Sequence, residues 1–138
     1  MSLAKFTARS LLSAIFITGG LDEIKKADQL SEAVDGLLSK LPKSSCSQIP
    51  DVDSTLLVKV NGATMLAAGS LLALGIKPRL AATVLAAQLV PVTAAGHAFW
   101  EKEGAEKQGD QLQFCKHLGL IGALLTVALE AAKYRLAL

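Results

Sequence analysis

Charged residues are distributed very unevenly along this chain, and the gaps between them predict its architecture. No ionised side chain occurs in the 17 residues at 60–76 or in the 21 residues at 80–100. Two shorter apolar segments lie near the ends, at 10–21 and 118–129. Helices of about 20 apolar residues are long enough to cross a lipid bilayer. The pattern therefore predicts a single all-α domain over residues 1–138, built as a four-helix transmembrane bundle.

The local signals place the ends of these helices. Asp53 is a suitable N-cap for the second helix, and Gly75 followed by Pro78 predicts a very short turn into the third. Asp110 with Gln113 resembles a capping pair for the fourth helix, after a polar loop. We expect the crossing helices at about 3–25, 54–74, 79–98 and 110–134.

The polar segment at 26–53 forms the first loop outside the membrane. Within it, apolar residues recur at helical spacing before Pro42, which predicts a short amphipathic helix. This helix is expected to lie on the membrane surface or over the mouth of the bundle. Its apolar positions are Leu30, Val34, Leu37, Leu38 and Leu41.

The composition agrees with a membrane protein. Hydrophobic residues make up 51% of the chain and charged residues only 19%, against about 25% charged in an average soluble domain. A net charge of +2 with no basic patch gives no indication of nucleic-acid binding. A soluble four-helix protein with unusually apolar helices is the alternative.

The first apolar segment resembles a secretory signal behind Lys5 and Arg9. No convincing A-x-A cleavage site follows it, so we interpret the segment as the first helix.

The basic residues predict the orientation of the bundle. With a cytoplasmic N-terminus, the short inner segments hold six Lys or Arg and one acid, Glu130. The outer segments hold eight Lys or Arg spread over more than twice the length. The higher density of Lys and Arg belongs inside, so both termini are expected to be cytoplasmic.

This topology brings polar side chains from all four helices to the outer face, where they form a candidate polar pocket. Ionisable groups near membrane depth normally face the bundle interior or a wet cavity. A quinone head group could bind there, beside His97 or Lys116. The structural alternative is that Lys116 reaches the lipid headgroups and Trp100 anchors the interface. The candidate pocket residues are Asp22, Asn61, His97, Trp100, Gln113, Lys116 and His117.

Other polar and small residues have simpler interpretations. His97 and His117 could ligate a haem from facing helices, but without a further motif no metal or haem site is predicted. Gln88 lies near the middle of the third helix, where its amide needs an interhelical hydrogen bond. Close-packed helix seams are indicated on the fourth helix by the spacings Gly119/Ala123 and Gly122/Thr126.

The two cysteines, Cys46 and Cys115, both fall on the outer side of the predicted topology. They can form a disulfide in an oxidising exterior, remain two unrelated thiols, or cycle with a redox partner. No C-x-x-C motif, phosphate-binding glycine loop, H-E-x-x-H motif or nucleophile with an evident base occurs. We therefore predict no catalytic residue, and an enzymatic activity is not favoured.

Read in order, several short motifs resemble the DoxX family of small four-helix membrane proteins over nearly the whole chain. An Asn is usual in that family where this chain has His117. The motifs are Arg9-Ser10-Leu11-Leu12 with Phe16 and Gly19-Gly20, then Asn61-Gly62-Ala63, Gly75-Ile76-Lys77-Pro78-Arg79-Leu80, Gly96-His97-Ala98-Phe99-Trp100 and Gln113-Phe114-Cys115-Lys116-His117 before Gly119.

The resemblance implies a multi-pass protein of a bacterial plasma membrane, in a family of diverse function. One member type forms the membrane subunit of a thiosulfate:quinone oxidoreductase, and others are linked to thiol and oxidant defence.

We expect a non-catalytic accessory subunit of a larger membrane complex, of the respiratory or another redox type. Its partners would be the lipid bilayer and other membrane subunits, and no cofactor is required. The alternative is a membrane component of a quinone-linked thiol or thiosulfate oxidoreductase, with quinone as its cofactor. A small transporter is less favoured, because only one helix is interrupted.

Overall fold

The computed structural model describes residues 3–40, 53–96 and 102–136, and every regular element in these ranges is an α-helix. This confirms the predicted all-α class. In chain order, the helices are α1 (Leu3–Lys25), α2 (Ala27–Lys40), α3 (Ser54–Leu74), α4 (Pro78–Gly96) and α5 (Gly104–Leu136).

Helices α1 and α2 are separated only by Lys26. The backbone hydrogen bonds Lys26 N–H to Asp22 O and Leu30 N–H to Lys26 O continue the helical ladder across this joint, at 2.9 and 3.0 Å. The predicted amphipathic helix is therefore present, but it starts almost directly from the end of α1. It packs against α3, where the Ser54 hydroxyl donates to the Asp35 carboxylate.

Both ends of α3 follow the sequence signals. The Asp53 side chain accepts a hydrogen bond from Thr55 N–H at 2.9 Å, as an N-cap should. Gly75 ends the helix with φ 71°, and its N–H and that of Ile76 bond the carbonyls of the last turn. Lys77 also has positive φ, at 44°, immediately before Pro78 opens α4. The turn is very short, so α3 and α4 run antiparallel.

The predicted start of the last helix is wrong. Helix α5 begins at Gly104, six residues before Asp110, so most of the expected polar loop is helical. Asp110 does not cap the helix but pairs with Lys102, the two charged atoms being 2.7 Å apart. This ion pair and the acidic Glu106 in the first turn both stabilise an earlier helix start.

The closest packing in the bundle lies between α1 and α3. Gly20 and Gly62 face each other so tightly that a Cβ added to Gly20 would lie 2.5 Å from the Gly62 carbonyl oxygen. A Cβ added to Gly62 would lie 2.8 Å from the carbonyl oxygen of Gly20. Glycine is therefore required on both sides of this crossing.

The apolar core joins all four long helices. Phe16 of α1, Leu72 of α3, Leu85 of α4 and Leu124 of α5 are almost completely buried. Helices α4 and α5 also pack along each other, and α3 contacts α4. At the end of the bundle opposite α2, the Lys5 ammonium lies 3.6 Å from the Glu130 carboxylate, so the start of α1 lies beside the end of α5.

Much of α5 faces away from the rest of the protein. The predicted close-packed seams on this helix are wrong for contacts within the described part of the chain. Gly119, Gly122, Ala123 and Thr126 are exposed, and a Cβ added to either glycine would meet no described atom within 4 Å. Two of the described helices are long and apolar enough to cross a membrane, α3 and the segment Gly104–Glu130 of α5. An exposed apolar helix of this length has the character of a lipid-facing surface.

Candidate functional site

A partly open cavity of about 200 Å³ lies among four helices near the middle of the bundle. Its wall is mainly apolar, with polar side chains contributed by Glu23, Gln88 and His117. Such cavities, with a few polar groups on an apolar wall, are typical of small-molecule sites. The apolar lining consists of Ile15, Phe16 and Gly19 of α1, Met65 of α3, Leu85, Leu89 and Val92 of α4, and Leu120 of α5.

A chain of side-chain hydrogen bonds connects three helices behind one wall of the cavity. The Asn61 amide donates to the Glu23 carboxylate at 2.8 Å. The Gln88 amide donates to the Asn61 side-chain oxygen at 3.0 Å and to its backbone oxygen at 3.3 Å. The predicted interhelical hydrogen bond of Gln88 is thereby confirmed, with Asn61 as its partner.

The chain of bonds runs from Gln88 through Asn61 to Glu23. Asn61 donates its NH₂ group to Glu23, which leaves its side-chain oxygen to accept from Gln88. Gln88 must then use its own NH₂ group on Asn61. Its remaining polar atom, Oε1, is buried and has no hydrogen-bond partner in the described structure. The network therefore leaves one buried amide oxygen without a hydrogen-bond partner among the described residues.

A second polar pair lies between α4 and α5. Thr93 is buried, and its hydroxyl donates to the Leu89 carbonyl oxygen at 2.5 Å. The same oxygen lies 2.9 Å from Nδ1 of His117. The hydroxyl has one hydrogen, and Leu89 receives it, so we infer that His117 Nδ1–H donates to Thr93. This assigns the proton of a neutral ring to Nδ1 and makes Nε2 an acceptor.

The polar side chains at the cavity come from three helices. They comprise a carboxyl group, an amide and an imidazole, on walls formed largely by Leu, Phe, Met and Val. Among the described residues, no group of three or more His, Cys, Asp or Glu side chains could hold a metal ion. The arrangement suits a small ligand with an apolar body better than a metal.

The structure brings together only some of the residues predicted for the outer pocket. Asn61 holds the hydrogen-bond network, and His117 lines the cavity. Asp22 is exposed and pairs with Lys26 at 2.8 Å, away from the cavity. Gln113 and Lys116 are also exposed and do not line it.

Other predicted positions fall outside the described residues. These are His97 and Trp100 of the candidate pocket and Cys46 of the proposed disulfide. Cys115 lies exposed on α5. The pairing of the two cysteines and the role of His97 stay predictions.

Glu23 and Thr93 are the site residues that the sequence analysis missed. A signal for Glu23 was present, because an acid within a predicted membrane helix is by default a candidate functional residue. The predicted pocket contains its neighbour Asp22 instead, and the helix turns that residue to the surface. Thr93 carries no comparable signal, because threonine is common in membrane helices as a partner of the backbone.

One comparison with known proteins identifies a family. The family model described as DoxX matches residues 4–98, which cover α1 from its second residue through α4 and end before α5. No curated protein and no solved structure matches the chain. The matched range contains Glu23, Asn61 and Gln88, whereas His117 lies beyond it.

Proposed function

The chain belongs to the DoxX family of membrane proteins, and we propose that it works as a non-catalytic accessory subunit of a larger membrane complex. In this proposal α1, α3, α4 and α5 all cross a bacterial plasma membrane, with both termini in the cytoplasm. The complex is of the respiratory or another redox type, and its other subunits are the partners.

The exposed face of α5 is the observation that supports this role. Gly119, Gly122, Ala123 and Thr126 form a stripe of small residues, with open space in front of both glycines. In lipid, small residues let the backbones of two helices approach closely. The glycines between α1 and α3 already serve that purpose within the chain. Those of α5 are therefore available to a helix of another subunit.

Purification in mild detergent followed by mass spectrometry tests the accessory role. The double variant Gly119→Leu/Gly122→Leu should lose co-purifying membrane subunits at least about tenfold, because leucine side chains would hold a neighbouring helix away. The isolated chain should stay folded, since both positions face open space. Gly109→Leu is the matched control, an open glycine near the start of the same helix, and should retain the partners. If the double variant keeps its partners, or the wild-type protein has none, the proposal fails.

The cavity favours a second candidate function, a membrane component of a quinone-linked thiol or thiosulfate oxidoreductase. An apolar chamber with Glu23, Gln88 and His117 on its wall has the size and chemistry to hold one aromatic ring. The test is reduction of a short-chain quinone analogue by the purified protein, with thiosulfate or a thiol as the electron donor. His117→Ala should abolish that activity while Lys116→Ala, at an exposed neighbour, should not. Absence of any turnover in the wild-type protein would contradict this candidate.

A further inference from the structure

We infer that the cavity binds a small organic cation, an ammonium group on a short alkyl chain, with the ammonium on Glu23 and the chain between α1 and α4. This site goes beyond the accessory role proposed for α5, which does not depend on what fills the cavity. It also differs from the aromatic ring of the second candidate function, because it requires a positive charge and no ring. Two features of the chamber support it, the charge on its wall and the order of polar and apolar groups along it.

The cavity has an acid on its wall and no basic side chain of the Lys or Arg type. Among the described residues that line the chamber, Glu23 is the only acid, and none is Lys or Arg. The Glu23 carboxylate is partly buried and accepts one hydrogen bond, from the Asn61 amide at 2.8 Å. No described residue forms an ion pair with it. The other titratable group on the wall, His117, is hydrogen-bonded to Thr93. A carboxylate beside apolar side chains is normally paired with a cation, so the chamber favours a ligand that brings one.

The directions of the helices define two ends of the chamber. Gly20 faces Gly62, whereas Phe16, earlier in α1, lies against Gly69, later in α3, so α1 and α3 run antiparallel. Helix α4 is also antiparallel to α3, because the turn between them is very short, and it therefore runs parallel to α1. The first lining residues of α1 and α4 thus lie at one end of the chamber, and the last lining residues of both lie at the other.

These two ends differ in polarity. On α1 the lining runs from Phe16 to Glu23, and on α4 it runs from Leu85 to Val92. Each stretch covers about 10 Å at 1.5 Å per residue, with the acid at one end and large apolar side chains at the other. An engineered apolar cavity of about 150 Å³ in another protein binds benzene, a molecule of six carbons. The chamber here, about 200 Å³, therefore has room for a six-carbon chain and an ammonium head.

The charge on the wall should discriminate between ligands of the same length. A hydroxyl and an ammonium group can both donate a hydrogen bond to Glu23, but the ammonium adds the attraction of opposite charges. This attraction is stronger beside apolar side chains than in water. A ligand carboxylate would instead meet a like charge. We expect affinities at least about tenfold apart between the cation and the alcohol, and no binding of the anion.

The test compares three ligands with the same six-carbon chain and different heads, namely hexylammonium, hexanol and hexanoate. Titration calorimetry uses the full chain in a non-ionic detergent at about pH 8, where aliphatic amines are charged. Hexylammonium should bind at least about tenfold more tightly than hexanol, and hexanoate should not bind. Ethylammonium should bind at least about tenfold more weakly than hexylammonium, because it leaves the apolar end of the chamber unfilled.

Two variants locate the cation. Glu23→Gln removes the charge and keeps an oxygen that can accept from Asn61, so it should lower the affinity for hexylammonium to that for hexanol. Asp22→Asn is the matched control. It removes the same charge from the neighbouring exposed residue, outside the cavity, and should keep the preference for the cation.

Every result of these titrations supports or overturns the cation site. Equal affinity of the wild-type protein for hexylammonium and hexanol overturns it, as does the absence of hexylammonium binding, and neither result depends on the folding of a variant. An unchanged preference in Glu23→Gln overturns it as well. Equal affinity for ethylammonium and hexylammonium would place the cation on the surface and not in the chamber. None of these results affects the accessory role, which the co-purification experiment on α5 tests separately.

Discussion

The two sides of this bundle use glycine in opposite ways. Between α1 and α3, Gly20 and Gly62 bring two backbones together so closely that no side chain fits between them. On α5, Gly119 and Gly122 face open space. The first pair is used to build the protein itself. The second pair leaves a surface without side chains on a long apolar helix, where we propose that a helix of another subunit packs.

The cavity lies between these two regions. One wall belongs to the tightly packed pair α1 and α3, and the opposite wall to α4 and α5, which pack on each other. Tight packing on both sides with looser contact between them leaves room for a chamber in the middle. The hydrogen bonds from Gln88 to Asn61 and from Asn61 to Glu23 hold α4, α3 and α1 at fixed distances from one another.

The largest effect is expected at the tight crossing. Gly20→Ala places a methyl group within 2.5 Å of a backbone oxygen and 2.9 Å of a backbone nitrogen, so the two helices must separate. We expect a loss of about 1–3 kcal/mol in the free energy of unfolding, measured in detergent by thermal or denaturant melting. The same substitution at Gly109, which faces open space, is the control. Equal behaviour of the two variants would show that this crossing is not the tight contact described here.

A smaller loss is expected when the polar link across the bundle is broken. Asn61→Leu removes the partner of both Glu23 and Gln88, and we expect a cost of about 1–2 kcal/mol. Gln113→Leu changes an exposed amide on α5 and should have little effect. Melting of both variants in the same detergent measures the difference in their stability. If Asn61→Leu is as harmless as Gln113→Leu, the network contributes nothing to holding the helices together.

A substitution on the exposed face of α5 should increase the stability of the protein instead of lowering it. Gly122→Ala adds a methyl group where nothing lies within 4 Å and removes the entropic cost of a glycine inside a helix. The isolated chain should therefore gain about 0.5–1 kcal/mol of stability. A loss comparable to that of Gly20→Ala would mean that α5 packs against this chain after all.

The smallest effect concerns the start of α5. The hydrogen bond and charge of Asp110 raise the pKa of Lys102 above its usual range. A raised lysine pKa means that the pairing stabilises the fold at pH values below the ordinary lysine pKa. This contribution disappears as the pH rises through the higher pKa of the folded state. The melting temperature of the wild type should fall slightly more than that of Lys102→Met between pH 9 and pH 12, a range set by the ordinary lysine pKa of about 10.4. Melting temperatures that fall equally with pH in the two proteins would contradict this contribution of the ion pair.

The helices could be predicted from the sequence wherever a local signal marks their ends. Asp53 caps α3 and Gly75 ends it as predicted, because each acts on the backbone within a few residues. The start of α5 could not be predicted in this way. Asp110 is of a residue type that often caps helices, but its carboxylate pairs with Lys102, eight residues earlier in the chain. That competition between partners is visible only in the folded molecule.

The site was harder to predict than the fold, because it depends on which way each side chain faces. Asp22 and Glu23 are neighbours with the same chemistry, yet the helix turns one to the surface and the other to the cavity. The need of Gln88 for a partner on another helix follows from composition and depth alone. The identity of that partner requires the register of α3 against α4, which no local pattern specifies.

In the proposed topology, in which α3 and α4 both cross the membrane, the turn at Gly75–Pro78 also constrains how the chain enters a bilayer. Only a few residues join α3 to α4, so the first of these two helices cannot cross the lipid while the second remains far from it. Insertion of α3 and α4 is then one coupled event. In that topology residues 53 and 96 lie on the same side of the bilayer.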